Sequence, residues 1–309
     1  MKLSRRALLA LFALASCRAD GGAPRPSPGR ERDWRLAGVR LHTVSLGERR
    51  SPVRYAIHGG PGLDHAYLRV GFDALARDAA LVYVDLRGHG HSSSPPDADG
   101  YTVSAAADDL AALVAARGDP PVDVIAHDFG AAVAVSFAAR HPELTRRLVL
   151  VSPLRDAAQV RAVAARSRDA LGERGWSEVL ALTTPQGTLR DARSVPTLFR
   201  RLGVMWWAAP PSDATITAMT RALVYRADSD ANFLQDVLRW DSRLVAREVR
   251  APVLVVAGAS DRTFLPSESR ALAEALPHGS FAAIEGAGHL PFVERPREFT
   301  AVVERFLAP

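Results

Sequence analysis

The chain has 309 residues, of which 48% are apolar and 24% charged, so it can bury a large core and is neither disordered nor fibrous. Its formal net charge is +5, but Lys2, Arg5 and Arg6 lie in a segment that we expect to be removed, which leaves about +2 (+5 − 3). Because no basic run follows residue 6, the composition does not favour a nucleic-acid partner.

The first 17 residues have the pattern of an export signal. A short basic segment precedes about ten small and apolar residues that end at Cys17, a stretch too short to span a membrane. Residues 14–17, Leu-Ala-Ser-Cys, resemble the bacterial lipobox, which implies lipidation of Cys17 and a protein anchored at the bacterial cell envelope, facing the periplasm or the outside. The alternative is a plain secretory signal that is cleaved elsewhere. Cys17 is the only cysteine, which excludes a disulfide within the chain and a cysteine metal site.

Residues 18–33 are rich in Gly, Pro, Ser and Arg and predict a flexible tether. Apolar alternation at 36–44 then predicts two short strands. Strands and helices follow in alternation, the strands at 53–57, 80–85, 122–126, 147–152, 252–258 and 280–284, and the helices at 66–77, 103–117, 129–140 and 296–307. This order predicts an α/β protein with a mostly parallel, eight-stranded sheet and helices on both faces.

The alternation stops between residues 153 and 248. This segment contains helical patterns broken by Gly and Pro, and no strand pattern of comparable strength. It therefore predicts a helical cap inserted into a core made of residues 34–152 and 249–309.

Asp128 stands at a predicted strand-to-helix junction, with Ala126 and Gly130 two residues to either side. This pattern is typical of a nucleophile elbow, where a sharp turn exposes the central side chain and tolerates only small neighbours. Taken alone, an aspartate at this place is also a common helix cap.

The element order and the elbow resemble the α/β-hydrolase superfamily, and the aspartate at the elbow resembles its aspartate-nucleophile branch, the epoxide hydrolases and haloalkane dehalogenases. That resemblance implies a catalytic triad in the order nucleophile, acid and histidine, and Asp261 and His289 follow Asp128 at the matching places. Residues 58–62, His-Gly-Gly-Pro-Gly, resemble the superfamily's oxyanion loop, which implies the main-chain N–H groups of Gly60 and Phe129 as oxyanion donors. We expect no cofactor and no metal ion.

A carboxylate nucleophile favours displacement at saturated carbon, because its attack on a carbonyl would give a labile anhydride. Asp128 would form an alkyl ester on its own side chain. His289, held by Asp261, would then activate water to hydrolyse that ester. The sequence thus predicts a hydrolase for a small-molecule substrate, with an epoxide favoured.

The predicted cap matches neither substrate class completely. Epoxide hydrolases of this branch use two cap tyrosines as acids, whereas Tyr225 is the only tyrosine between residues 153 and 248. Haloalkane dehalogenases typically place Trp after the nucleophile, whereas this chain has Phe129. Trp206 and Trp207 are candidates either for indole donors to a substrate or for packing within the cap.

Three alternatives to an epoxide hydrolase stay open. A haloalkane dehalogenase would use the same nucleophile. The His-Gly-Gly-Pro-Gly loop also resembles that of proline iminopeptidases, which have a serine nucleophile, so a peptidase-like or esterase-like enzyme is the second. The third is a lipid-anchored binding protein without catalysis.

Overall fold

The computed structural model describes residues 28–36, 38–48, 52–183 and 194–308. The predicted export signal, Cys17 and residues 18–27 of the predicted tether lie outside the described residues. The tether prediction also extended too far, because the first strand begins at Arg30. Residues 30–33 pair with the next strand through main-chain hydrogen bonds while their side chains remain exposed, so no apolar pattern marked them in the sequence.

A single sheet of eight strands forms the centre of the described structure. The strands are β1 Arg30–Leu36, β2 Val39–Leu46, β3 Val53–Ile57, β4 Ala80–Val84, β5 Val122–His127, β6 Thr145–Val151, β7 Val253–Gly258 and β8 Gly279–Ile284. Their spatial order is β1-β2-β4-β3-β5-β6-β7-β8. Strand β2 runs antiparallel to β1 and β4, and every other pairing is parallel. The predicted eight-stranded, mostly parallel sheet is confirmed.

Eleven helices accompany the sheet within the described residues. They are α1 Arg69–Phe72, α2 Val103–Arg117, α3 Phe129–Arg140, α4 Ala157–Thr183, α5 Val195–Arg201, α6 Gly203–Trp206, α7 Asp213–Thr220, α8 Ala227–Val237, α9 Pro266–Ala275, α10 Pro291–Glu294 and α11 Pro296–Leu307. The predicted bounds of α2, α3 and α11 match, whereas the predicted helix at 66–77 is a series of short helical turns.

The core has two layers, one on each face of the sheet. Strands β3, β4, β5 and β7 are buried along their whole length, as expected for strands covered on both sides. Helices α2, α3 and α9 contribute to the layer on one face, and α1 and α11 contribute to the layer on the other.

The described residues between β6 and β7, which we call the cap, carry helices α4 to α8 and no strand. Helix α4 is kinked at Gly172, where the main chain leaves the helical conformation. Helix α8 is fastened to the core, because the Ser229 hydroxyl donates to the Gly88 carbonyl and the Asp236 carboxylate accepts the main-chain N–H of Val103. In the parts of the chain that the structure covers, no helix combines the length and apolar character that crossing a bilayer requires.

The sheet order also determines where a site can form. The chain passes from β3 outward to β4 and later returns to the other side of β3 as β5. The connections after β3 and β5 therefore leave in opposite directions, and a crevice opens at the carboxyl ends of these two strands. His58 and Asp128 are the first residues after β3 and β5.

Candidate active site

Asp128 occupies a sharp turn between β5 and α3. Its main chain has φ 54° and ψ −121°, a conformation that costs free energy for any residue with a side chain. Hydrogen bonds hold it there, since the N–H of Asp128 donates to the Val151 carbonyl at 3.0 Å and its carbonyl accepts the N–H of Leu154 at 3.1 Å. The Asp128 carboxylate makes no capping bond to α3, so it is a nucleophile candidate and not a helix cap.

Glycines allow the turn to pack closely against the end of β3. A methyl group on Gly130 would overlap the main-chain carbonyl oxygens of Ile57 and His58. A methyl group on Gly59 would lie 2.8 Å from the Asp128 carboxylate. Both positions therefore exclude a larger side chain, which explains why glycine stands two residues after Asp128.

The two other predicted triad residues converge on Asp128. Asp261 follows β7 and His289 follows β8, and His289 Nδ1 lies 3.0 Å from Asp261 Oδ2. The second Asp261 oxygen accepts the main-chain N–H groups of Thr263 and Phe264 at 2.8 and 3.1 Å, which fixes the carboxylate. His289 Nε2 lies 4.0 Å from Asp128 Oδ2.

The His289 ring lies between the carboxyl groups of Asp261 and Asp128. Burial disfavours the charged ring, but the charges of Asp261 and Asp128 and the hydrogen bond to Asp261 outweigh burial and raise the pKa of His289 to about 10. His289 is therefore protonated at neutral pH.

The predicted oxyanion loop contacts the nucleophile directly. The Gly60 N–H donates to Asp128 Oδ2 at 3.2 Å. The peptide unit between Gly59 and Gly60 is also held at its carbonyl. His58 Nδ1 donates to the Gly59 carbonyl at 2.8 Å, and His58 Nε2 accepts the Leu86 N–H at 3.1 Å. Burial lowers the pKa of His58, which keeps the ring in the neutral form that these two bonds require. Phe129, which carries the second predicted donor, is the first residue of α3.

Two residues of the site, Tyr67 and His127, were not predicted from the sequence. The Tyr67 hydroxyl accepts the Gly59 N–H at 2.7 Å and lies 2.8 Å from His127 Nδ1. His127 Nε2 lies 3.0 Å from the main-chain carbonyl oxygen of His289. His127 belonged to the elbow motif but had no assigned role, and no local pattern distinguished Tyr67.

A cavity of about 230 Å³ opens above the Asp128 carboxylate. Its wall is mainly apolar and includes Val160, Val163, Phe199, Trp206, Leu234 and Val237 from four cap helices, and Leu202 between two of these helices. The core contributes Tyr67, His127, Asp128, Thr263 and His289, which are the polar or ionisable members apart from the Trp206 indole. The site therefore places the Asp128 carboxylate in a mainly apolar cavity.

The structure brings one of the three predicted cap residues to this cavity. Trp206 lines it, whereas Trp207 and Tyr225 do not. Trp207 is buried within the cap and borders a different cavity. The Tyr225 hydroxyl donates to Asp230 Oδ2 at 2.8 Å, so its proton points to a carboxylate and not to a substrate.

Two groups of side chains in the described structure bring three potential metal ligands within 4.8 Å of one another. One is His127, Asp128 and His289, where both nitrogens of His127 already have hydrogen-bond partners. The other is Asp64, His65 and Asp85, where His65 bonds Asp85 at 2.7 Å and the carboxylates accept main-chain N–H groups. These hydrogen bonds account for both groups without a metal ion.

Residues 55–296 match the family of the alpha/beta hydrolase fold, so the chain belongs to this family of hydrolases. It is 29% identical over 257 residues to a pimeloyl-[acyl-carrier protein] methyl ester esterase of Chromobacterium violaceum, covering 82% of this chain and 91% of the relative. It is also 29% identical over 116 residues to epoxide hydrolase 3 of Xenopus tropicalis, covering 38% of this chain and 31% of the relative.

Solved structures show the same architecture. A proline iminopeptidase-related protein from Thermus thermophilus superimposes with a TM-score of 0.73 and 23% identity, covering 91% of this chain and 98% of the other. At this identity the likeness concerns the fold alone. The similar proteins are named as an esterase, an epoxide hydrolase and an iminopeptidase-related protein. The reaction of this chain has to be inferred from the chemistry of its site.

Proposed function

We propose that this hydrolase displaces a leaving group from a saturated carbon and passes through a covalent ester on Asp128. The single observation that carries the proposal is the carboxylate at the elbow, which faces His289 Nε2 at 4.0 Å and accepts the Gly60 N–H at 3.2 Å. A carboxylate at this place suits alkyl transfer better than acyl transfer, because attack on an ester or peptide carbonyl would give an anhydride.

The first step uses the charge of Asp128. One carboxylate oxygen attacks the alkyl carbon, a C–O bond forms, and the bond to the leaving group breaks with its electron pair. The loss of the Asp128 charge removes one of the interactions that keep the pKa of His289 high, so the ring can then release its proton to solvent, and an alkoxide formed from an epoxide takes up a proton from the same solvent. Alkylation thereby prepares the base for the second step.

The second step regenerates the carboxylate. His289 takes a proton from water, and the oxygen attacks the carbonyl carbon of the Asp128 ester. The oxyanion that develops receives the Gly60 N–H, which already points at Oδ2. Collapse of this intermediate releases the alcohol, and Asp261 stabilises the imidazolium that forms when His289 takes the proton from water.

For the substrate we propose an epoxide of a small apolar molecule. The apolar cavity wall and the similarity to epoxide hydrolase 3 support this class. An epoxide oxygen needs a hydrogen-bond donor as it leaves, and Trp206 carries an indole N–H in the cavity wall. The Tyr67 and Thr263 hydroxyls also line the cavity, but each already has an acceptor, His127 and the Met205 carbonyl.

The same indole supports a second candidate, a haloalkane. A halide leaves as a stable anion and needs hydrogen bonds but no proton, which an indole N–H can provide. Replacement of Trp206 by Phe should slow alkylation by both substrate types, and the ratio of the wild-type rates with an epoxide and a haloalkane identifies the preferred class.

The test of the mechanism is accumulation of the ester. His289→Gln should be alkylated by an epoxide or haloalkane panel and should release product very slowly, because the base is missing. Mass spectrometry should then find a stable adduct on the peptide that contains Asp128, and Asp128→Ala should show none. A wild-type enzyme that turns over while His289→Gln stays unmodified would exclude the covalent alkyl ester.

We further propose that the chain is exported and anchored through a lipid on Cys17, on the basis of the lipobox pattern. Radiolabelled palmitate should enter the wild-type protein in a bacterial host and should not enter Cys17→Ser. Incorporation into both proteins, or into neither, would contradict the anchor.

A further inference from the structure

Tyr67 lies at the junction of the three loops that carry the reaction. It ends a helical turn, His65–Tyr67, on the core side of the cavity and is 1% exposed. The oxyanion loop follows β3, the elbow follows β5 and the His289 loop follows β8, so these segments are far apart in the sequence. The Tyr67 hydroxyl and the His127 ring join all three.

The hydrogen bonds that run from Gly59 through Tyr67 and His127 to the His289 carbonyl each have an assignable donor. The His289 carbonyl oxygen can only accept, so His127 Nε2 carries a hydrogen and donates to it. Burial lowers the pKa of His127 to about 3, so the ring is neutral and Nδ1 has a lone pair. The Tyr67 hydroxyl therefore donates to Nδ1 and accepts the Gly59 N–H.

Gly59 is the residue through which this series of hydrogen bonds reaches Asp128. A methyl group on Gly59 would lie 2.8 Å from Asp128 Oδ2 and 2.9 Å from the Tyr67 hydroxyl oxygen, so both groups contact the same side of this residue. Tyr67 holds the N–H of Gly59, and His58 holds its carbonyl. The next N–H in the chain, that of Gly60, is thereby aimed at Asp128 Oδ2.

We propose that Tyr67 is a positioning residue for hydrolysis of the ester, because it keeps the oxyanion loop and the nucleophile elbow in register through Gly59 and His127. This inference rests on the proposed covalent mechanism and adds a step-specific role to it. In the first step the negative charge leaves Asp128, so a well-placed Gly60 N–H gives no advantage. In the second step charge grows on the ester oxygen, and the same N–H stabilises it.

Tyr67→Phe should therefore separate the two steps. The ring can keep its packing against His127 and Phe292, whose centroids lie 5.7 and 6.2 Å away, while both hydrogen bonds are lost. Under single turnover with an epoxide, we expect the rate of adduct formation to stay within about 3-fold of wild type and the rate of adduct decay to fall about 10- to 100-fold. Tyr225→Phe, which removes a phenol outside the cavity, is the matched control and should change neither rate.

Variants of His127 test whether Tyr67 acts through its hydrogen bond to His127. His127→Asn places an amide near the former Nδ1 and preserves an acceptor for Tyr67, whereas His127→Gln places it near the former Nε2 and preserves a donor to His289. Adding Tyr67→Phe should slow decay strongly in the Asn background and only slightly in the Gln background, where the bond to Tyr67 is already lost. Equal losses in the two backgrounds would overturn the proposed route.

The outcomes distinguish this inference from the mechanism beneath it. If His289→Gln forms no adduct, the covalent mechanism fails whatever Tyr67 does. If the adduct forms and Tyr67→Phe slows its formation as much as its decay, Tyr67 acts on the substrate and the positioning role is wrong. If Tyr67→Phe changes neither rate, the role is equally wrong.

A measurement without substrate completes the test. Nitrogen-15 NMR of the His127 ring should show hydrogen on Nε2 and none on Nδ1 between pH 5 and 8, as the low pKa requires. Tyr67→Phe should move the Nδ1 resonance and leave the Nε2–H form in place. A protonated His127, or hydrogen on Nδ1, would contradict the inferred hydrogen-bond directions.

Discussion

The main-chain N–H of His289 donates to the carbonyl of Trp206 at 2.7 Å. A cap residue that lines the cavity thus holds the main chain of His289, the predicted triad histidine. Glu294 strengthens this connection, because one of its oxygens accepts the N–H of Ala208 at 2.8 Å and the other accepts the N–H of Gly288 at 2.5 Å. The cap and the His289 loop are therefore joined by one direct hydrogen bond and by two further bonds through the Glu294 carboxylate.

Glu294→Gln should weaken this junction. The amide keeps the shape of the side chain, but its NH2 group faces a main-chain N–H and cannot accept from it, so we expect a loss of about 1–3 kcal/mol in unfolding free energy and a slower adduct decay. Denaturant unfolding and single-turnover kinetics measure the two effects. Glu298→Gln, an exposed change in the adjoining helix, is the control. Equal stabilities of the two variants would contradict the role of Glu294.

Asp128→Asn should lower the pKa of His289 below its wild-type value of about 10. The neutral amide removes the Asp128 charge while Asp261 and burial remain, as in the alkylated enzyme. NMR titration of the ring should show wild-type His289 protonated across pH 6–8 and a lower titration midpoint in the variant. An unchanged midpoint would mean that alkylation does not release the base.

The same shift predicts a pH dependence of stability. The folded pKa of His289 lies above the unfolded value of about 6.5, so its stabilising contribution is complete below pH 6.5 and is lost as the pH rises towards 10. His289→Gln should remove this contribution. The difference in unfolding free energy between wild type and variant should therefore decrease between pH 7 and 10, and a constant difference would contradict the assignment.

Tyr225→Phe should affect stability but not chemistry. Asp230 is buried, which raises its pKa to about 6, and the Tyr225 hydroxyl donates to it. Above that pH the variant leaves an ionised carboxylate without this donor, whereas below it the carboxyl is neutral and the loss is smaller. Unfolding measurements should show a larger deficit at pH 7.5 than at pH 5. Slower alkylation by epoxides would instead restore Tyr225 as the cap acid.

Gly130→Ala should disrupt the elbow. The added methyl group overlaps the carbonyl oxygens that end β3, so either α3 or the oxyanion loop must shift, at a cost of about 1–3 kcal/mol. Gly203→Ala is a suitable control, because a methyl group there would lie 3.4 Å from the Trp207 side chain, an ordinary contact. Thermal unfolding of both variants provides the comparison, and a wild-type melting temperature in Gly130→Ala would be inconsistent with the close approach.

Much of this architecture was predictable because its signals are local. Buried parallel strands are continuous apolar runs, and the elbow requires small residues at fixed spacing, so the sheet and the position of Asp128 followed from the sequence. Tyr225 shows the limit. Its presence in the cap was visible, but the direction of its hydroxyl depends on Asp230 and on how α8 packs against the core. Tyr67 gave no local signal because its partners are distant in the sequence: Gly59 lies in the loop after β3, and His127 ends β5.

The hydrogen bond between Trp206 and His289 has a consequence for engineering. Exchanging caps between relatives is a natural way to alter substrate range, but in this protein Trp206 both lines the cavity and accepts the N–H of His289, and the N–H of Ala208 donates to Glu294. A transplanted cap that fits the substrate but lacks these main-chain contacts would leave His289 poorly aligned. The practical crossover points lie on either side of residues 206–208, so that this segment remains with the host enzyme.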